Sequence, residues 1–175
     1  MKARASAVTR HTFIFTTGGL RFASFAEAHL KHAELNEGIF VAANFGGADL
    51  ESASIKQAVF KGASLTDAHM KEANVKDTSF EKADLSGASL IGAYGFKANF
   101  KEAVLDRANL KDAEMVHANF ESAKVRGAVF KDTDMREANF RGVDLVGAKI
   151  EDRALDGAQG VEQPSWQQYK DGLGK

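Results

Sequence analysis

Cysteine is absent from this chain of 175 residues, and proline occurs only once, at Pro164. Without cysteine the protein has no disulfide bonds, no thiolate nucleophile and no cysteine-ligated zinc. Proline lacks the backbone N–H that a β-ladder needs, so its near absence fits a fold in which most backbone N–H groups are paired. Thiol chemistry is therefore excluded, and a hydrogen-bonded ladder is compatible with the composition.

An excess of charge of either sign is also missing. Lysine and arginine together number 23, aspartate and glutamate 24, and the formal net charge is -1. Without a strong overall field, the protein is not expected to recruit nucleic acid or an anionic membrane surface. No apolar run approaches the roughly 20 residues of a membrane-spanning helix. We therefore predict no direct nucleic acid binding and no membrane association.

The N-terminal segment is basic, with no acidic residue before Glu27. Transit peptides share this feature, but the apolar stretch behind the basic residues is short and no cleavage site is evident. The sequence therefore favours a cytoplasmic protein.

What the sequence contains in abundance is a five-residue repeat. If each pentad is numbered by its central residue i, the centres fall at every fifth position from 25 to 150, and 25 of these 26 residues are Phe, Leu, Ile, Val or Met. The exception is Gly95. At position i−2, 22 of 26 residues are Ala, and the others are also small. These others are Gly38, Thr78, Thr133 and Val143.

A period of five fits neither a helix nor a continuous strand. On an α-helix the apolar positions would drift around the cylinder, because five residues advance by about 500°. On a strand, an odd spacing would send successive centres to opposite faces. The pattern instead predicts a polygonal coil, in which each pentad forms one short side with residues i−2 and i pointing inward.

The number of sides follows from residues that recur at a spacing of twenty. The clearest series is Phe40, Phe60, Phe80, Phe100, Phe120 and Phe140. Like residues stacked at this spacing predict four pentads per coil and a square cross-section. Eight of the 16 glycines lie at i+2, where a type II turn requires a positive φ. Polar residues at the remaining corners predict turns that do not need a positive φ.

The repeated motif, seen in "ADLES", "ANFKE" and "ADLSG", resembles the A(D/N)(L/F)xx signature of the pentapeptide repeat family. The resemblance implies an all-β fold, a right-handed quadrilateral β-helix. It covers residues 23–152, which are 130 residues or about 6.5 coils of twenty. The expected organisation is an N-terminal segment and cap over 1–22, the β-helix over 23–152, and a decaying repeat with a C-terminal cap over 153–175.

Both ends of such a coil expose strand edges that need caps. At the N-terminus, the alternating residues 12–16 predict a short strand. At the C-terminus, the tail "QPSWQQYKDGLGK" predicts a short helix. Trp166 and Tyr169 lie on one face of this helix. They either cover the last coil or form a homodimer contact, since related proteins often pair through their C-terminal ends.

Residues for catalysis or cofactor binding are not evident. No nucleophile–base pair or glycine-rich phosphate loop is present, and a filled coil leaves little internal space for a substrate. His29, Asp49 and His69 share one outward column, but side chains on successive coils converge poorly for a metal. We therefore predict no enzyme activity, no cofactor and no metal site. A column of asparagines predicts a stacked amide ladder: Asn99, Asn119 and Asn139. Adjacent charges of opposite sign predict a solvated surface.

Gly95 leaves one inward position without a side chain, between Tyr94 and Phe96. On the first hypothesis, Tyr94 or Phe96 turns inward to fill the vacant space. On the second, both rings stay outside and form an apolar patch with Ile91 and Val116, which would be a candidate binding site for a partner. The sequence favours the first hypothesis, because an unfilled core position costs stability.

Two functions follow for a coil of this kind. The first is a non-enzymatic scaffold that presents flat faces to a protein partner. The second comes from resemblance to the fluoroquinolone-resistance members of the family, which imitate duplex DNA and bind DNA gyrase or topoisomerase IV. Duplex DNA carries one negative charge per roughly 1.7 Å, whereas this chain is almost neutral. The scaffold is therefore the favoured prediction.

Overall fold

The computed structural model describes residues 19–150 and 154–161. Over these residues the backbone forms a stack of coils, in which parallel β-bridges join residues twenty positions apart. Two-residue strands are assigned at β1, Val129–Phe130, and β2, Lys149–Ile150, which pair in parallel. The predicted period of twenty residues is therefore the register of the backbone, and four pentads separate bridged residues.

Each pentad contributes one short side and one corner. On a side, residues i−2 and i are buried and residue i−1 points outward, as in Ala58, Val59 and Phe60. The backbone N–H of the centre donates to a carbonyl in the next coil, for example from Phe60 N to Ser79 O at 2.7 Å. At the corner, Ala63 N donates to Phe60 O at 2.9 Å, which is the hydrogen bond of a β-turn.

Left-handed backbone occurs at every i+2 corner residue from Phe22 to Gly147. Nineteen of these residues are not glycine, and their φ angles are 54–60°. The prediction that polar corners use turns without a positive φ is therefore wrong. The reason is the ladder: the N–H of each i+2 residue must point at the next coil, as Glu27 N does toward Gly46 O at 2.9 Å. One corner geometry is thus required whatever the residue.

The core is a set of stacked columns inside the coil. The phenylalanine column that the sequence predicts is confirmed, with neighbouring ring centroids 4.8–5.4 Å apart and ring planes within 30° of parallel. Its members are almost completely buried: Phe40, Phe60, Phe80, Phe100, Phe120 and Phe140. Alanine at i−2 is buried at nearly every pentad because the interior of the coil is narrow there.

Two buried threonines replace alanine at i−2 and find hydrogen-bond acceptors inside the coil. Thr78 donates its hydroxyl to Ile55 O at 2.6 Å, and Thr133 donates to Leu110 O at 2.8 Å. In both cases the acceptor is the carbonyl that closes a corner of the preceding coil. The hydroxyl is therefore satisfied although the site is buried.

The repeat changes character at Gly160, which occupies a central position with a φ of 70°. A Cβ built there would lie 2.7 Å from the backbone nitrogen of Arg141, so a side chain cannot be accommodated. No helix occurs within 19–150 or 154–161, and hence none that could cross a membrane. The predicted cap strand at 12–16 and the predicted C-terminal helix lie outside the described residues.

Candidate interaction surface

The space left by Gly95 is filled by a side chain from the next coil. A Cβ built on Gly95 would collide with Sδ of Met115 and lie 3.3 Å from Cγ2 of Val75. Methionine is unbranched and flexible, so its thioether can enter a gap that a branched side chain would leave empty. The favoured prediction, that Tyr94 or Phe96 turns inward, is therefore wrong, because Met115 already occupies the position.

Both aromatic rings lie outside the core. Tyr94 is 39% exposed at the middle of one side, and its backbone bridges Asn74 and Glu114 in the adjacent coils. We call this the tyrosine side. Its outward residues are Glu34, Ser54, Asn74, Tyr94, Glu114 and Asp134. The phenol is thus surrounded by polar side chains, and the ring stands alone as an apolar feature of this side.

Phe96 lies at the corner that follows Tyr94 and is half-buried by polar neighbours. The ammonium nitrogen of Lys97 is 5.3 Å from the ring centroid, and that of Lys76 is 5.8 Å away. The ring of His117 meets Phe96 edge to face, with centroids 5.4 Å apart. Two cations against one aromatic ring form a cation–π arrangement at the surface.

Ile91 and Val116 are both half-buried corner residues. Val116 is one coil beyond Phe96 on the same corner, and its carbonyl accepts a hydrogen bond from Lys97 N at 3.0 Å. Ile91 lies at the opposite corner of the tyrosine side. The structure therefore places Phe96 and Val116 as neighbours, while Ile91 is separated from them by the width of the side that carries Tyr94.

A groove of about 210 Å³ lies on the corner that carries Phe96. Its lining residues are Asn36, Glu37, Lys56, Gln57, Lys76 and Asp77. The next coil at this corner contributes Phe96 and Lys97. We call the stretch from Asn36 to Lys97 along this edge the lysine corner. It joins the tyrosine side to the side that carries the asparagine column.

Lysines at the other corners are held in ion pairs, four of which join successive coils. The pairs, with N···O distances of 2.8–3.5 Å, are Lys31–Glu51, Lys61–Glu81, Lys71–Glu72, Lys82–Glu102, Lys101–Glu121 and Lys111–Asp112. The hydrogen bond from Lys61 lowers the pKa of the Glu81 carboxyl below its ordinary value. Charges at these corners are therefore largely compensated within the molecule.

The lysine corner differs from them. Within 19–150 and 154–161, no ion pair is formed by Lys56, Lys76 or Lys97. Two carboxylates, Glu37 and Asp77, lie on the same corner and are likewise without an ion pair among these residues. Three ammonium groups, two carboxylates and one aromatic ring are thus available on one edge of the coil.

The side next to the lysine corner carries the predicted amide ladder. Asn119 Nδ2 donates to Asn99 Oδ1 at 3.3 Å, and Asn139 Nδ2 donates to Asn119 Oδ1 at 3.0 Å. Each of these oxygens also accepts a backbone N–H from the following corner. The ladder is therefore confirmed, and its amides stabilise the coil.

The histidine column gives no metal centre. His29, Asp49 and His69 bridge one another on successive coils as predicted. In the part of the chain that the structure describes, no group of three or more potential ligands is arranged to hold a metal ion. Trp166 and Tyr169, the predicted cap or dimer contact, lie outside the described residues, so that contact stays a prediction.

One exposed apolar cluster was not predicted. Phe22 is 80% exposed at the first described corner, and Ile39 is 42% exposed on the adjoining side. Val41 and Val59 are half-buried beside them. The signal that would have revealed this cluster is the concentration of apolar residues at i−1, i+1 and i+2 in the first coils, since most of the repeat is polar at these positions.

Comparison with known proteins agrees with the geometry. The family described as pentapeptide repeats matches in eight copies over residues 20–51, 43–81, 76–112 and 113–152. A trypsin-treated variant of QnrB1, a plasmid-mediated fluoroquinolone resistance protein, is similar in fold, with a TM-score of 0.52 and 14% identity over 89% of this chain and 86% of that one.

Two further solved structures have a higher sequence identity to this chain than QnrB1 has, but a lower TM-score. HetL, a pentapeptide repeat protein involved in heterocyst differentiation regulation from Nostoc sp. strain PCC 7120, is 25% identical over 78% of this chain and 76% of its own, with a TM-score of 0.39. A pentapeptide repeat protein of the Arabidopsis thaliana thylakoid lumen is 26% identical over 71% and 69%, with a TM-score of 0.38. No curated protein matches the sequence. The family match covers most of the repeat region and agrees with the twenty-residue register, so this chain belongs to the pentapeptide repeat family.

Proposed function

We propose that this protein is a non-enzymatic scaffold that binds a protein partner through the tyrosine side and the lysine corner. The observation that supports this most directly is the outward position of Tyr94 and Phe96. Because Met115 fills the space at Gly95, neither ring is needed inside the coil. Large aromatic residues at a polar surface are typical of binding sites and contribute strongly to binding energy.

The rigidity of the coil supports a scaffold. Backbone hydrogen bonds connect each side and each corner to the next coil, commonly at 2.6–3.1 Å. The core positions are filled by apolar side chains, so a ligand would bind at the surface. A surface held this firmly loses little conformational entropy when a partner docks, which favours affinity.

The alternative, a DNA-mimicking binder of gyrase or topoisomerase IV, is not favoured. The similarity to QnrB1 at 14% identity is a similarity of fold. A mimic needs a face with closely spaced negative charge, whereas on two corners of this coil lysines are paired with the carboxylates of the next coil. A supercoiling assay tests this point: inhibition of gyrase at micromolar protein would favour the mimic, and no effect is expected.

We also propose that the coil extends over residues 23–152, about 6.5 right-handed coils, with closing segments at 1–22 and 153–175. The family match and the regular register of twenty residues support this extent. Binding would then be lateral, on the sides and corners, and the ends would serve closure or self-association.

The scaffold proposal is tested with the double variant Tyr94→Ser/Phe96→Ser. Because both rings are outside the core, we expect the melting temperature to change little. Crosslinking and mass spectrometry in a lysate of the source cells should then show loss of the partners captured by the wild type. Val104→Ser, a half-buried outward position on a different side, is the matched control. Unchanged capture by the double variant would remove this surface as the binding site.

A further inference from the structure

We propose that the lysine corner, together with Phe96, binds an extended acidic peptide segment that carries an apolar anchor residue. This inference rests on the proposed scaffold function and specifies the chemistry of its partner. The expected segment has an aspartate or glutamate followed, two or three residues later, by an aromatic residue or leucine.

The first step is the charge at this edge of the coil. Lys56, Lys76 and Lys97 form no ion pair within 19–150 and 154–161, whereas six other lysines each contact a carboxylate. The groove between the first two of these lysines is also lined by the amides of Asn36 and Gln57. The Asn36 Nδ2 already donates to Glu34 Oε2 at 2.8 Å, so a carboxylate from a partner would find the ammonium groups and the amide of Gln57 as donors. No internal ion pair of these lysines would need to be broken.

The second step is the aromatic ring at one end of the groove. Phe96 is half-buried, and Val116 adjoins it in the next coil. Lys76 and Lys97 approach the ring at 5.8 and 5.3 Å, and Lys76 also lines the groove, so one cation borders both the groove and the ring. An apolar side chain can pack on Phe96 while a neighbouring carboxylate contacts these ammonium groups.

The third step is the spacing. Successive coils are separated by about 4.8 Å, so Lys56 and Phe96 are roughly 10 Å apart along the axis of the coil. An extended peptide advances about 3.3 Å per residue. Three residues therefore cover the distance from Lys56, in the middle of the groove, to the ring. This sets the interval between the acidic residue and the anchor.

A nucleic acid fits this edge less well. Glu37 and Asp77 lie among the three lysines. A single-stranded nucleic acid carries a phosphate at each nucleotide, and its regular charges would pass close to both carboxylates. A peptide with one or two carboxylates can place them at the lysines and avoid this repulsion.

The test is phage display of random twelve-residue peptides on the full-length protein, followed by fluorescence anisotropy with one enriched, labelled peptide. We expect enriched peptides to share the acidic and apolar residues at the stated interval. The variant Lys56→Gln/Lys76→Gln/Lys97→Gln should weaken binding about tenfold or more. The control Lys61→Gln/Lys82→Gln/Lys101→Gln removes three paired lysines from a different corner and should change it less than about twofold.

Three outcomes overturn the inference. They are the absence of any enrichment, enrichment of peptides without an acidic residue, and equal weakening by the two lysine variants. Tighter binding of a twelve-nucleotide oligothymidine, lost in the first variant, would favour nucleic acid instead. If the lysine variant still captures the cellular partner but Tyr94→Ser/Phe96→Ser does not, this inference fails and the scaffold proposal stands. If neither variant affects capture, both fail.

Discussion

Two interior columns of this coil solve the same packing problem in different ways. The phenylalanine column repeats one residue, and its rings stack at 4.8–5.4 Å from Phe40 to Phe140. The column beneath the tyrosine side is mixed. Its members are Leu35, Ile55, Val75, Gly95, Met115, Met135 and Leu155. A missing side chain in this column is compensated by the flexible residue one coil away.

The outward residues over the two columns also differ. Over the phenylalanine column, asparagine amides bond to one another and to the backbone. Over the mixed column, Tyr94 projects outward and Phe96 follows at the corner. The comparison shows that interior regularity is not required for a continuous ladder, and that a gap inside the coil need not be filled by the residues beside it.

The largest expected effect is the loss of a ring from the regular column. Phe100 is fully buried and stacked on both sides, at 5.1 and 4.9 Å. Phe100→Ala should reduce the free energy of unfolding by about 3–5 kcal/mol. Met115→Ala should cost less, about 2–4 kcal/mol, because it reopens the space at Gly95 but removes a smaller side chain than the phenylalanine ring. Urea denaturation measures both. A larger loss for Met115→Ala would contradict the comparison.

The second prediction concerns the position where the mixed column lacks a side chain. Gly95→Leu introduces a group into the space of Met115 and should destabilise the protein by about 1–3 kcal/mol through overpacking. The double variant Gly95→Leu/Met115→Ala should be more stable than Gly95→Leu alone, because the two side chains compete for one space. Strictly additive free energies from chemical denaturation would show that Met115 does not fill the gap.

The sequence predicts features that depend on the period alone. The phenylalanine column and the amide ladder follow from like residues at a spacing of twenty, and the structure confirms both. The site of the irregularity, Gly95, is visible in the sequence as well. What fills it is not, because that depends on the rotamer of Met115, which is distant in sequence and adjacent in space.

The backbone conformation of the corners and the pairing of the charges could not be predicted from the sequence either. Residues other than glycine do not normally favour left-handed φ, yet the hydrogen-bonded ladder between coils imposes it on nineteen of them at the corners. Adjacent charges of opposite sign in the sequence predict a solvated surface, but they do not predict which groups form ion pairs: Lys101 pairs with Glu121 in the next coil. The lysine corner is recognisable only by comparison with such pairs, so it could not be identified before the coil was assembled.

The third prediction compares the two buried threonines, one beneath the asparagine side and one beneath the tyrosine side. Thr78 lies beside the phenylalanine column and Thr133 beside the mixed column, and each donates to a carbonyl of the preceding coil. Replacement by valine keeps the shape and removes this hydrogen bond, which should cost about 1 kcal/mol at each position. Equal losses are expected, since Ile55 O and Leu110 O each retain a turn hydrogen bond. A much larger loss at Thr133 in thermal denaturation would show that the mixed column is less adaptable than proposed.

The smallest effect is expected at the surface of the tyrosine side, where Asp134 accepts hydrogen bonds from Arg136 Nη2 at 2.7 Å and from Nε at 2.9 Å. These bonds lower the pKa of the Asp134 carboxyl below its ordinary value. A lowered pKa in the folded state stabilises the protein above the pKa of the unfolded chain, about 3.9. This contribution is lost as the pH falls through the folded value, and solvent keeps it below about 1 kcal/mol.

Asp134→Asn removes the titrating group and should flatten this part of the stability profile. Between about pH 5 and pH 2.5, the wild type is expected to lose slightly more stability than the variant, as measured by urea denaturation at each pH. Asn119→Ala, on the asparagine side, removes hydrogen bonds without removing a charge and is the control. Its profile should run parallel to that of the wild type. Parallel profiles for Asp134→Asn and the wild type would mean that the ion pair contributes nothing, and that the two sides differ only in packing and exposed aromatic surface.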